Sequence, residues 1–451
     1  MSFAYRLSPA RLRWLIVSVT VAACGSLTTI GTDSRWLAAL GEAVLRTRRV
    51  PQGVPYADAA SSGWHNVPVL GELIFAALER GLGDRGLILL QIVAVAIALT
   101  VVASEMPAEA GIVLVLVPIA SLDAFVVVRA QVFSLALFPL LVLLLRCEAD
   151  VPSPRIWLLV PLIALWANLH GGVLIGLAVT ACYLLFERFR RSRWTAVAVL
   201  VASAAAVFAT PALFETVTYY EHVFQNAFLA AHQGLWARPS ARHPFDLAFF
   251  AVIPVLGFMA VRARPRAWEY AAGAGLALAA ATAARNEVWL VLFLAPAAVR
   301  RLQQLPAPSA RIRPALALVA VLLPAAVLAL TVGGPGSSGV GAGPTLRREA
   351  VVAAHGTPIL ADPYDSERLA LEGAKIVIGN PIDAFNRRDQ RLYLDWLDGS
   401  EAAGARLASH SGAILVGRND PASRALARSR AFCRTASDRR DVLYVPCISA
   451  D

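Results

Sequence analysis

Leu87-Ile88-Leu89-Leu90-Gln91-Ile92-Val93-Ala94-Val95-Ala96-Ile97-Ala98-Leu99-Thr100-Val101-Val102-Ala103-Ser104 carries no formal charge over its whole length. As a helix rising about 1.5 Å per residue, such a run is long enough to cross a hydrocarbon layer ~30 Å thick. Further runs of the same kind lie on either side of it. The spacing predicts about eleven spans in all, at 14 to 31, 87 to 104, 111 to 128, 131 to 146, 156 to 170, 172 to 187, 194 to 210, 245 to 261, 268 to 284, 286 to 299 and 314 to 332. The bulk numbers agree. Of 451 residues 57% are apolar and only 16% charged, and the mean hydropathy is +0.60, whereas a soluble domain carries about 25% charge. The reading is an α-helical polytopic membrane protein.

The net charge of +10 comes almost wholly from arginine, since Lys375 is the one lysine. The arginines lie between apolar runs rather than in a single patch, which argues for membrane topology and against nucleic acid as a partner. Arg6, Arg11 and Arg13 place the N-terminus in the cytoplasm under the positive-inside rule. Counting spans from there puts three arginine groups on the same side: Arg188 to Arg193, Arg262 to Arg266, and Arg300 to Arg313. The loop with Glu105 and Glu109 has no arginine and is silent. No small-residue cleavage site follows the first run, so it is expected to remain as a span. An odd number of spans leaves the tail outside the cytoplasm, in a multi-pass protein of the bacterial cytoplasmic (inner) membrane.

Two long outer segments follow from this topology, at 32 to 86 and 211 to 244. In the first, the apolar spacing around Trp36 to Leu40 and Val69 to Ala76 predicts helices lying in the interface plane, the second of which could instead be a short span. Residues 1 to 332 form the transmembrane domain and 333 to 344 a Gly/Pro/Ser linker. Residues 345 to 451 then read as a small extracytoplasmic α/β domain. Its predicted strands are 358 to 362, 375 to 379, 413 to 417, 431 to 436 and 441 to 446, and its helices 346 to 354, 387 to 397, 401 to 409 and 421 to 430. Cys433, on the first of the last two predicted strands, and Cys447, just past the second, would lie near each other if those strands form a hairpin across Asp438-Arg439-Arg440. A disulfide and a pair of buried free thiols are both open. No cysteine spacing matches a metal motif, and no metal ligands are assigned.

Ionisable groups at span ends are costly and usually have a reason. With the topology above, Asp33, Asp123, Arg129, Gln131, Asn168, His170, Arg285, Asn286 and Glu287 all fall at the outer ends of spans. Arginine suits a phosphate because its guanidinium stays charged and grips oxygens in pairs. A neutral imidazole at His170 suits a phosphate donor or a base, although a histidine before Gly171-Gly172 also suits a helix end. Each of these residues, taken singly, is also compatible with an ordinary wetted loop position.

Arg129-Ala130-Gln131-Val132-Phe133-Ser134, Trp166-Ala167-Asn168-Leu169-His170-Gly171-Gly172 and Arg285-Asn286 resemble those of uncharacterised bacterial multi-pass membrane proteins related to the GT-C glycosyltransferase superfold. Ile359 to Tyr364 and Lys375 to Gly379 in the tail resemble the same group's outer α/β domain, so the resemblance spans nearly the whole chain. It implies an enzyme that moves a sugar from a polyprenyl-phosphate carrier, a mannosyltransferase- or arabinosyltransferase-like reaction at the outer face of the membrane. It implies Asp33 as the catalytic base, with Arg129, His170 and Arg285 on the donor phosphate and Asp123, Gln131, Asn168 and Asn286 in support. A divalent cation is a further possible source of charge stabilisation. The chain departs from the group's Asp-Pro-Asp and Trp-Trp-His pattern, reading Gly31-Thr32-Asp33-Ser34-Arg35-Trp36-Leu37. Val67-Pro68 stands where a His-Glu pair is expected, and Leu235 where an acid precedes Trp236. Those losses fit a second reading, a non-catalytic scaffold for envelope assembly. A transporter or flippase ranks last, because the chain shows no internal repeat and no charge pair at mid-span.

Overall fold

The computed structural model describes residues 8–106, 110–226, 236–304, 312–332 and 341–447. Arg6, Glu109, Leu235, Arg311 and linker residues 333 to 340 lie outside the described residues. The chain divides into two compact units. A helical unit comprises Met1–Thr29, Asp84–Ala209 and His232–Ser338; a mixed α/β unit comprises Ile30–Gly83, Thr210–Ala231 and Gly339–Asp451.

In the helical unit the predicted apolar runs lie largely on helices, the run from 111 to 128 excepted. Ser8 caps the first, Pro9–Leu27, by accepting from the backbone N–H of Arg11. Among the described residues four helical stretches are long and apolar enough to cross a membrane: Ala10–Leu27, Asp84–Ser104, Val132–Asp150 and Pro244–Arg262. Gly111–Ala120, Pro154–Leu169, Arg193–Ala206 and Leu318–Leu328 are shorter apolar stretches. The run expected to continue from 111 to 128 does not do so. It stops at Ala120, restarts as Leu122–Val126 and passes into extended chain at Val127–Val128. Pro118 withholds a backbone donor and the valine run favours extended backbone, two effects that hydropathy does not register. Near the far end of Val132–Asp150, Arg146 donates to Glu105 at 3.0 Å and to Glu269 at 3.3 Å. Arg300 also donates to Glu269, at 2.6 Å. The arginine absent from the Glu105 loop is thus supplied by a neighbouring helix, and the buried charges neutralise one another.

In the mixed unit Ser34–Thr47 packs against Val69–Leu82, so closely that a Cβ on Gly41 would come 2.2 Å from the carbonyl oxygen of Glu72. Ile359–Ala361, Ala413–Gly417, Asp441–Pro446 and Phe432–Ser437 form a four-stranded sheet in that order. The first pair is parallel and the other two are antiparallel. Cys433 and Cys447 are joined in a disulfide with Cα atoms 5.0 Å apart. The predicted strand at 375 to 379 is not a strand. Only Ile376 bridges, to Ile359 on one side and to Ala57 on the other. The backbone of Lys375 to Val377 is hydrogen-bonded both to Ile359 and to Tyr56, Asp58 and Ala59, so a loop from the N-terminal half completes that edge. A helix absent from the sequence reading, Pro363–Leu371, begins where Asp362 accepts from the N–H groups of Tyr364 and Asp365.

Candidate functional site

The two units each carry a cluster of the expected residues. In the helical unit, Leu159–Leu169 and Val173–Tyr183 are joined through His170, Gly171 and Gly172. Trp166 Nε1 donates to Ser134 Oγ at 2.6 Å, and Ser134 Oγ lies 2.6 Å from His170 Nδ1. The N–H of Gly172 donates to the same Nδ1 at 3.2 Å. An Nδ1 that accepts from a backbone N–H carries no proton, so the serine hydroxyl is its second donor and the ring proton of the neutral imidazole is on Nε2. Gly172 is required by space: its Cβ would stand 2.8 Å from His170 Nδ1. Gly176 makes way for Trp166 in the same manner, at 2.5 Å. The most specific run in the sequence therefore builds a rigid, buried mount that leaves His170 a single directed donor.

Around it, Gln131 Nε2 donates to the carbonyl of Arg285 at 3.0 Å. The Arg285 guanidinium lies over the Trp236 ring, 4.3 Å from its centre, and within electrostatic reach of His170. Arg129 forms an ion pair with Asp123, donating to Oδ2 at 2.8 Å and more loosely to Oδ1 at 3.5 Å. Glu287 is buried within electrostatic reach of Asp123 and Asp246. Asn168 uses its amide on the carbonyls of Ala164 and Ala209, and Asn286 donates to Ala279. Both amides tie helix ends together.

In the mixed unit Asp33 occupies the N-cap position of Ser34–Thr47 in the left-handed region, φ 85, and its side chain does not cap the helix. Glu367, on the Pro363–Leu371 helix, does so instead. Its Oε1 accepts from the N–H of Asp33 at 2.8 Å and its Oε2 from the N–H of Arg35 at 3.3 Å. Asn380 Nδ2 holds Oε1 from behind at 2.6 Å. The Asp33 carboxylate is thereby released from capping, and its Oδ1 accepts from Trp36 Nε1 at 3.2 Å. Burial, reinforced by the charge of Asp33, pushes the Glu367 carboxyl up to about 8. Burial likewise raises Asp383, which accepts from Trp64 Nε1 at 3.2 Å and feels the charges of Asp33 and His222. Trp64 lies against Tyr219, and His65 stands 3.6 Å from Glu215.

Sequence reasoning missed Glu367, Asn380, Asp383, Trp64 and His65. A signal was present for Glu367: it is a charged residue on the same helix face as Ser366 and Ala370, which face the core. Nothing in the sequence joins it to Asp33, because the two are brought together only by folding.

No protein-family description matches the chain, and neither does any curated protein. Its architecture is a GT-C-like fold. Two solved structures share it over nearly their full length, both of ArnT from Cupriavidus metallidurans. With the crystal form bound to undecaprenyl phosphate the identity is 12%, the TM-score 0.52, and 98% of each chain is covered. With the apo form the identity is 11% and the TM-score 0.55, covering 96% of this chain and 97% of the other. The chain shares that fold, and among its described residues four helices are long and apolar enough to cross a membrane.

Proposed function

We propose that this protein is a membrane glycosyltransferase that takes a sugar from a polyprenyl-phosphate donor and passes it to an acceptor hydroxyl outside the cytoplasm. The observation that carries the reading is Asp33: a carboxylate on a left-handed residue, set at a helix N-terminus, whose capping duty is taken over by Glu367. A protein that needed only a cap would use Asp33 itself, the ordinary arrangement. The fold shared with a protein crystallised on undecaprenyl phosphate supports the choice of donor.

In the proposed reaction the acceptor oxygen attacks the anomeric carbon and the bond from that carbon to the phosphate oxygen breaks. The acceptor proton passes to Asp33, and the lipid phosphate leaves with the bonding electrons. In the helical unit, Arg285, its plane set by Trp236 and its backbone by Gln131, and the Nε2–H of His170 are proposed as a cationic, donating cluster suited to a phosphate. Arg129 starts from a weaker position, because Asp123 already neutralises it.

The proposed topology is eleven spans, with the N-terminus in the cytoplasm and residues 345 to 451 outside. The Cys433–Cys447 disulfide supports an oxidising location for the tail. The test is transfer from a radiolabelled polyprenyl-phosphate sugar by the full chain in lipid. Wild type is expected to release the lipid phosphate. Asp33→Asn, an isosteric change at a backbone conformation that asparagine tolerates, is expected to lose about 10²–10⁴-fold in rate. A scaffold would make neither observation possible, and an Asp33→Asn variant at full rate removes Asp33 from the mechanism.

A further inference from the structure

Away from the residues assigned to transfer, the mixed unit brings three acidic side chains into one cluster. Asp362 and Asp365 sit on the first turn of Pro363–Leu371, and Asp441 opens the Asp441–Pro446 strand. One oxygen from each lies within 4.8 Å of the others. All three are buried, at 8%, 0% and 3% exposure respectively.

Their hydrogen bonds show which oxygens are committed. Asp362 Oδ1 accepts from the N–H groups of Tyr364 and Asp365, so the donors of the helix N-terminus are turned onto that atom. Asp365 Oδ1 accepts from the N–H of Ala342 at 2.9 Å, on the side where Gly341 adopts φ +90. The second oxygens of Asp365 and Asp441 are fully shielded from solvent and have no hydrogen-bond partner. A buried carboxylate oxygen left in that condition is costly. Of the cations within electrostatic reach, Arg347 and Arg368 act on Asp365 and Arg440 on Asp441, and Arg347 spends its guanidinium on Glu372 and on the carbonyl of Ala342. Burial and mutual repulsion push all three carboxyls upward.

We propose that Asp362, Asp365 and Asp441 form a structural Ca2+ site that ties the start of the Pro363–Leu371 helix to the Asp441–Pro446 strand. An all-oxygen, multiply anionic set selects a hard divalent cation over zinc or copper. Mg2+ usually keeps several waters and is held by one or two carboxylates, whereas Ca2+ accepts a larger set of protein oxygens, which favours calcium at three buried carboxylates. One oxygen of each carboxylate lies within 4.8 Å of the others, so the three can share a single ion. Asp441 is remote from the other two in the chain, which is why no short motif announces the site. The inference stands independently of the transferase reading.

The test is calorimetric titration of Ca2+, with Mg2+ and Mn2+ as parallel arms, into the full chain in detergent after EDTA treatment. About one Ca2+ per chain is expected, bound more tightly than Mg2+, with affinity falling at least roughly 10–100-fold in Asp441→Asn and in Asp365→Asn. If either variant fails to fold, Tb3+ luminescence on wild type takes its place. Tyr393, within electrostatic reach of Asp362, should sensitise an emission that Ca2+ displaces. Absence of Ca2+ binding to wild type, unchanged affinity in the folded variants, or no Ca2+-displaceable Tb3+ emission would each overturn the proposal. The three carboxyls would then be sharing protons instead.

Discussion

Asp33 and Glu367 illustrate how one residue's duty can be moved to another. The left-handed backbone at Asp33 costs roughly 1–2 kcal/mol for a residue with a Cβ, and the two N–H bonds to Glu367 offset it. Because burial raises the Glu367 carboxyl to about 8, the folded protein holds a proton there that the unfolded chain releases near its ordinary value of 4.5. More protons are bound in the folded state across that window, so stability contributed by Glu367 is complete below 4.5 and declines as pH rises toward 8. Glu367→Gln removes the titration. Its stability relative to wild type should therefore grow steadily between those two pH values, as read by thermal unfolding of the full chain. A difference that stays flat with pH would show that Glu367 is ionised throughout.

Elements were legible where a strong local signal had no competitor. The apolar runs, the Asp441–Pro446 and Ala413–Gly417 strands, and the hairpin that brings Cys433 to Cys447 all follow from periodicity and turn residues. The break after Ala120 was hidden because valine and isoleucine read as apolar in helix or extended chain alike. Lys375 to Gly379 has the composition of a strand, but the edge it would occupy is shared with residues 56 to 59. The Asp362-Pro363 cap was readable in principle, as an N-cap acid followed by proline at the first helical position. The Trp166 to Gly172 run was visible as a motif, while its mode of action, through Ser134 on another helix, was not. Gly172→Ala should displace His170 and Ser134, costing roughly 1–3 kcal/mol in stability and weakening donor use more than Asp33-dependent proton transfer. The comparison is thermal unfolding beside KM for the lipid donor; unchanged values for both would mean that the mount is looser than its distances indicate.

At the scale of the whole molecule, hydropathy and arginine placement suffice to predict a polytopic helical protein, because the bilayer imposes one requirement on every span. They do not predict that Ile30–Gly83 and Thr210–Ala231 join the tail in one compact unit, since those associations rest on pairings such as Tyr56 with Ile376 and Trp64 with Asp383. The transferase reading depends on where that unit lies with respect to the membrane. With Cys24, Cys147 and Cys182 replaced by serine, single cysteines at the exposed Ala402 and at Ser192 can be probed in intact cells with a membrane-impermeant maleimide. Labelling is expected at 402 without permeabilisation and at 192 only after it. Labelling of 402 only after the membrane is opened would put the tail in the cytoplasm and contradict the proposed reaction.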